Sequence, residues 1–235
     1  MVVQTEDGSY LAKLRGAAQG TAPLLAEIVV AGLAEALGLN VPPRAFISVE
    51  SGLPSDDPDQ ELREDLLDAS HGLNLGFRFL DGAREIRPDE VRDAPDELAQ
   101  PVLWLDALVM NSDRTPANPN ILVWRGERWL IDRGAALPFQ YRWSSVNEDA
   151  PRRTDYPLDR HLFGARADRL LAWDERLAVA LGRGVLESAL ADVPDEFLLP
   201  LVAPPASADR LRRRREAYVA FLWKRLKEPR PFIPR

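Results

Sequence analysis

Asn111-Ser112-Asp113-Arg114-Thr115-Pro116-Ala117-Asn118-Pro119-Asn120 runs into Ile121-Leu122-Val123-Trp124, Arg125-Gly126-Glu127, Arg128-Trp129-Leu130-Ile131 and Asp132-Arg133-Gly134. The decapeptide is dense in Asn, Asp, Ser and Pro, which favour turns because their side chains bond nearby backbone or fix φ. Four residues separate Asp113 from Asn118. A carboxylate so placed can orient a hydroxyl and take its proton, and an amide oxygen a short loop away can ligate a hard cation. Taken alone, such a segment is an ordinary surface loop. The two apolar runs that follow, joined by Arg125-Gly126-Glu127, read as a hairpin. A hairpin returns the chain to its starting point, so Asp132 is expected beside Asn118, where a carboxylate and an amide oxygen could share one Mg²⁺ with phosphate groups. Gly134 then allows backbone conformations that a side chain would forbid.

Upstream, apolar residues recur at helical spacing from Glu97 to Met110 (Leu98, Val102, Leu105, Leu108, Val109). At the amino end, Ser9 to Arg15 alternates like a strand and carries Lys13. Gly16 to Thr21 reads as a loop, and the spacing of Leu24, Leu25, Ile28, Val29, Leu33 and Leu37 predicts a helix closed by Gly38. Glu27 and Glu35 lie about two turns apart on that helix, and either could offer a carboxylate to Lys13. Val41 to Val49 reads as a strand, Ser51 to Glu64 as an acidic surface loop, and Gly72 to Leu80 as a strand or extended connector ending at the Asp81-Gly82 turn. Beyond Phe163, helices are predicted at 165–182, 184–192 and 207–228.

Composition narrows the field. With 235 residues, nearly half apolar and about three in ten charged, the chain is long enough for one good core or two small lobes sharing a cleft. The absence of cysteine excludes disulfides, thiolate metal sites and cysteine nucleophiles, and fits a cytoplasmic protein. No uncharged apolar run approaches membrane-spanning length, and the first residues do not resemble a signal peptide. The net charge of −7 makes the body a poor binder of nucleic acid. Ten of the 30 basic residues fall from Arg210 onward, on a predicted helix whose expected place is docked on that acidic body through Leu211, Tyr218, Leu222 and Leu226. His71 and His161 have no acidic or histidine neighbour at metal spacing and read as isolated polar histidines.

Several segments together carry a resemblance. They are Tyr10-Leu11-Ala12-Lys13-Leu14-Arg15-Gly16, the helix from Leu24 to Val41-Pro42, Asn111-Ser112-Asp113-Arg114 with Asn118-Pro119-Asn120, and Leu130-Ile131-Asp132-Arg133-Gly134-Ala135-Ala136-Leu137. Over roughly residues 9 to 140 the chain resembles the HipA-like kinase family and, more distantly, the phosphatidylinositol kinases. The resemblance implies an α+β fold of protein-kinase type, with a small strand-containing N-lobe (1–82) and a mostly helical C-lobe (83–235). It also implies ATP and Mg²⁺ as cofactors and a kinase activity on an unidentified hydroxyl acceptor, a protein hydroxyl among the candidates. Carried over by position, Asp113 is the catalytic aspartate, Asn118 and Asp132 are the metal ligands, and Lys13 with Glu27 serves nucleotide binding. The sequence departs from ordinary Ser/Thr and Tyr kinases in having Asn111-Ser112 where their catalytic loop has histidine. A phosphate-holding loop is expected before the lysine, and there Gly8 is the only glycine. The alternative expectation is therefore a kinase-like binding module with an incomplete nucleotide loop.

Overall fold

The structure, a computed structural model, describes residues 1–17, 19–50, 60–200 and 206–234. It is α+β. A four-stranded antiparallel sheet takes the order β1-β2-β4-β3, from β1 (Val2–Thr5), β2 (Gly8–Lys13), β3 (Arg44–Val49) and β4 (Gly72–Arg78). The edge strand β1 is mostly exposed and only four residues long, so alternation gives no sign of it. Between β3 and β4 the expected acidic loop is partly a helix, α2 (Gln60–Ala69); residues 51–59 of that loop lie outside the described residues. The Gly72–Leu80 segment resolves in favour of a strand.

Helix α1 (Ala22–Ala36) runs where the leucine spacing placed it, with proline in its first turn and Gly38 just past its end at φ 76°. Ten of its fifteen residues are buried, Glu27 among them, which is the signature of a helix enclosed on most sides. It packs against α4 (Asp96–Val109) and α6 (Arg183–Ala191), and it shares one core with Leu75 and Phe77 of β4. One hydrophobic core runs continuously from Leu24 through Leu75, Trp104 and Leu130 to Leu222 and Phe232. The opposite face of the sheet closes a second, small cluster of Ala12, Leu14, Val49 and Leu67, the last supplied by α2.

A second sheet, β5 (Arg84–Glu85), β6 (Ile121–Trp124) and β7 (Glu127–Leu130), contains the expected hairpin. The short α3 (Pro88–Arg92) links it to α4. Helices α5 (Leu170–Ala180), α6 and α7 (Ala208–Leu226) complete the chain, with a run of 3-10 turns between Pro138 and Arg169. No helix among the described residues is long and apolar enough to cross a membrane.

Helix α7 docks through Tyr218, Val219, Phe221, Leu222 and Leu226, while Arg212 and Arg213 stay exposed and pair with Asp209 and Glu216 of the same helix. Arg225 does something the charge pattern does not foretell. It is fully buried and donates to the carbonyls of Ala107 (3.0 Å) and Leu108 (2.9 Å), in the last turn of α4, and to those of Pro151 (3.1 Å) and Arg153 (3.0 Å). Helix-terminal carbonyls have no partner within their own helix, so this guanidinium serves as their cap. Burial, with no carboxylate in hydrogen-bond contact, pulls its pKa down to about 10. Arg225→Met should fill much of the same volume yet strand those carbonyls, lowering unfolding free energy in urea by about 2 kcal/mol; an unchanged midpoint would mean water replaces the guanidinium without loss.

Candidate active site

Helix α4 ends abruptly because Met110 adopts a left-handed conformation (φ 58°, ψ 39°). The loop that follows is built on a buried ionic network. Asp106, one turn back on α4, accepts from Arg114 Nε at 2.6 Å and Asn111 Nδ2 at 3.0 Å, and its Oδ2 lies 3.1 Å from His161 Nε2. The Phe163 N–H donates to His161 Nδ1 at 3.0 Å. His161 Nδ1 is thus the acceptor and Nε2 carries the proton towards Asp106, which describes a neutral imidazole. Burial pushes the His161 pKa down, consistent with that state. Desolvation would raise the Asp106 pKa, but the Arg114 charge and the bonds from His161 and Asn111 outweigh it and hold the carboxyl at about 2. The reading of His161 as an isolated polar side chain is therefore corrected: its acidic partner is 55 residues away in sequence, beyond any local spacing rule.

Arg114 also donates to the carbonyls of Pro119 (3.1 Å) and Asn120 (2.6 Å), so one buried guanidinium ties the two ends of the loop together. Between them, paired backbone bonds of Thr115 and Asn118 (3.1 and 3.0 Å) close a turn with Pro116 and Ala117 at its corner. That turn brings Asn118 back to Asp113. Asp113 Oδ2 accepts from Asn118 Nδ2 at 2.9 Å and from Asn120 Nδ2 at 3.2 Å. The Asn118 amide nitrogen is committed to Asp113, which leaves its oxygen free for another partner.

The hairpin returns as its sequence implies. Arg125 and Gly126 both have positive φ (50° and 85°), the pattern of the two-residue turn whose twist matches antiparallel strands. The Ile131 N–H donates to the Asn120 carbonyl at 3.0 Å, which carries the pairing past β7 and sets Asp132 beside the end of the loop. Asp132 itself is left-handed, at φ 51°. A non-glycine residue in that region costs free energy and is held there by its surroundings.

From the other side comes Lys13, at the end of β2. Its ammonium contacts Glu27 and donates to Asp132 Oδ1 at 2.7 Å. Glu27 Oε1 also accepts from the Arg133 N–H at 2.9 Å, and Arg133 Nη2 lies 3.2 Å from Glu27 Oε2 without hydrogen-bonding geometry. Desolvation opposes the Lys13 charge, but Glu27 and Asp132 prevail and raise its pKa; the same ammonium outweighs desolvation at Asp132 and lowers that pKa. Both groups are therefore charged at neutral pH. Of the two glutamates on α1, Glu27 faces Lys13, whereas Glu35 is exposed and pairs with Arg44 at 2.8 Å. Gly134 sits where an added Cβ would lie 3.2 Å from Pro23 Cβ, so close approach of this segment to the start of α1 favours glycine.

The family model of HipA-like kinases matches residues 2–150, well over half of the chain. The chain belongs to the HipA-like kinase family. No curated protein and no solved structure matches it. The matched residues hold both sheets, α1, α4, the loop and Asp132, and end before α5–α7.

Of the five residues singled out from sequence, the structure joins Lys13, Glu27 and Asp132 in one set of contacts and Asp113 and Asn118 in another. The Ile131–Asn120 bond links the two. The residues that sequence reasoning missed are the buried supports: Asp106, Arg114, Arg133, His161 and Arg225. Arg114 and Arg133 stood inside the segments that carry the resemblance without a role assigned to them, and Asp106 is a charged residue four positions after Val102 in the apolar repeat of α4; His161 and Arg225 left no local signal of their partners. Among the described residues no group of three or more His, Cys, Asp or Glu side chains could hold a metal ion. A cation here would have to complete its shell with phosphate oxygens and water. The available protein donors, the Asn118 amide oxygen and the outer oxygen of Asp132, are hard oxygens of the kind Mg²⁺ prefers.

Proposed function

We propose that this HipA-like kinase transfers the γ-phosphoryl group of ATP, with Mg²⁺, to an acceptor hydroxyl. We also read the four-stranded sheet with α1 as a nucleotide-facing lobe (1–82) and the remainder (83–235) as a catalytic lobe of a kinase-like fold. The observation that carries the proposal is the meeting of a lysine, a buried glutamate and a half-exposed, left-handed aspartate beside a loop that presents a second aspartate and an asparagine.

Each residue has a role that its surroundings support. Glu27 is fixed by the Arg133 N–H and holds Lys13, which is thereby kept extended and charged for anionic phosphate oxygens. Asp132 and the Asn118 oxygen would hold Mg²⁺, whose charge offsets that building up on the phosphates in the transition state. Asp113, with two amides donating to Oδ2, is oriented to accept the proton of an attacking hydroxyl. Alanine at Asp113 should reduce transfer from labelled ATP by roughly 10²- to 10⁴-fold, with nucleotide affinity little changed. Unaltered transfer would remove the assignment.

Lys13→Met should weaken ATP–Mg²⁺ binding by about tenfold in calorimetry, the loss expected for one charge-assisted contact. Equal affinity would show that Lys13 serves only to pair Glu27 and Asp132. One observation favours a second reading, a kinase-like binding module. The β1–β2 turn ahead of Lys13 carries Glu6 and Asp7, carboxylates that would repel phosphate, with Gly8 alone supplying flexibility. Under that reading the purified chain binds no ATP–Mg²⁺.

A further inference from the structure

A half-open cavity of about 300 Å³ adjoins the Asp113 loop. Met110 and Ser112 form one edge of it, and Tyr156, on another wall, donates to the Asn111 carbonyl at 2.8 Å. Ser112, the chain neighbour of Asp113, thus lines the cavity, while Asp113 itself stands outside its lining. Phe139 and Phe221, stacked with ring centroids 3.8 Å apart, supply an aromatic side. Two arginines, Arg142 and Arg153, also line it, and both are exposed. Neither guanidinium has an ion pair or hydrogen bond among the described residues. This is notable in a chain of net charge −7, in which Arg44, Arg84, Arg114, Arg166 and Arg169 all hold carboxylates. One carboxylate, Asp155, lines the cavity and pairs with neither.

The backbone beneath these arginines is anchored. Buried Arg225 bonds the carbonyls of Pro151 and Arg153, and Arg152 donates to the carbonyls of Lys227 (2.7 Å) and Pro229 (3.0 Å). Arg142 leaves helical geometry (φ −139°, ψ 55°), and its carbonyl accepts from Ser145 Oγ at 2.7 Å. Two unpaired cations on a fixed platform, facing a small cavity with an aromatic side, match a small organic anion.

We propose that this cavity is the acceptor subsite and takes a small hydroxyl compound bearing a carboxylate or phosphate, its anionic group between Arg142 and Arg153. Its role as acceptor rests on the phosphotransfer reading above; its affinity for anions does not. In the transfer, the acceptor oxygen forms a bond to the γ-phosphorus, the bond from that phosphorus to the β–γ bridging oxygen breaks, the hydroxyl proton passes to Asp113, and ADP leaves. A cavity at the small end of ligand sites suits one compact molecule rather than a length of peptide.

Calorimetry on the full chain would titrate malate, glycerol 3-phosphate, inorganic phosphate and a Glu-Ser-Glu peptide, with Arg142→Gln/Arg153→Gln as the control. At least one small anion should bind, with affinity at least tenfold weaker in the double variant, while ATP–Mg²⁺ affinity changes less than twofold. Preference for malate or for the phosphate compounds separates carboxylate from phosphate recognition. Equal binding by both proteins, binding of none of the small anions, or binding of the peptide alone would overturn the subsite. Arginine-dependent anion binding without any transfer from labelled ATP would instead sink the phosphotransfer reading and leave an anion site.

Discussion

Replacing Asp132 by asparagine is expected to lower phosphate transfer from ATP by roughly 10²- to 10³-fold, the scale on which losing one electrostatic contact to a transition state is felt, with little change in thermal stability. The side chain is half exposed, so little packing depends on it. Asparagine is among the residues that tolerate a left-handed backbone, so φ 51° need not change. Lys13 keeps its contact with buried Glu27. What is lost is the negative charge facing the proposed Mg²⁺ position, and raising the Mg²⁺ concentration should recover part of the activity. Full activity in Asp132→Asn at ordinary Mg²⁺, measured beside an unchanged melting curve, would remove Asp132 from the metal site.

Asp106→Ala should act on the fold instead, destabilising the chain by about 3–5 kcal/mol, because it leaves the Arg114 guanidinium buried without its counter-charge. The double change Asp106→Leu with Arg114→Met should cost much less than the single, since removing both partners avoids the stranded charge. A double variant as unstable as the single would show that the carbonyls of Pro119 and Asn120, and not the ion pair, dominate.

The same network sets the response to acid. The Asp106 carboxyl sits at about 2, against about 3.9 for an ordinary aspartate, so on acidification the unfolded chain takes up this proton first. Its contribution, on the order of 2 kcal/mol, is complete above roughly pH 4 and is lost as pH falls towards 2. His161, whose pKa burial pushes below its usual 6.5, has the same sign: its share is present above about 6.5 and declines as pH drops through the folded value. Urea unfolding should therefore give free energies that decrease from about pH 6.5 downward, with the upper part of the decline absent in His161→Gln. A decline of the same size in that variant would assign it to other groups.

Local pattern carried much of this far. The leucine spacing of α1, the apolar hairpin around Gly126 and the turn chemistry of residues 111–120 each express an interaction made within a few residues, and each folds as read. The return of Asp132 to the end of the Asp113–Asn118 loop was legible because a hairpin converts short sequence separation into spatial proximity. Edge strand β1 was not, since a four-residue exposed strand has no face to alternate. Nor were the partners of Asp106 and Arg225, whose bonds cross 55 residues to His161 and 117 and 118 residues to Leu108 and Ala107. Contacts of that range are decided by packing, to which neither composition nor period refers. Glu27 lies between these cases: its helix was plain and the family resemblance singled it out from Glu35, but its contact with Lys13 is made by the fold.

The burial of α1 also fixes how the protein can move. With residues 24–31 enclosed together with Leu33 and Ala34, and the helix seated against α4 and α6, its amides can meet solvent only when the core itself comes apart. Hydrogen exchange in α1 should be among the slowest in the chain, at the rate of global unfolding. Glu27 then behaves as a rivet rather than a latch: control by swinging this helix outward would cost the whole folding free energy, and any on–off behaviour must work through the strand that carries Lys13 or through the loops.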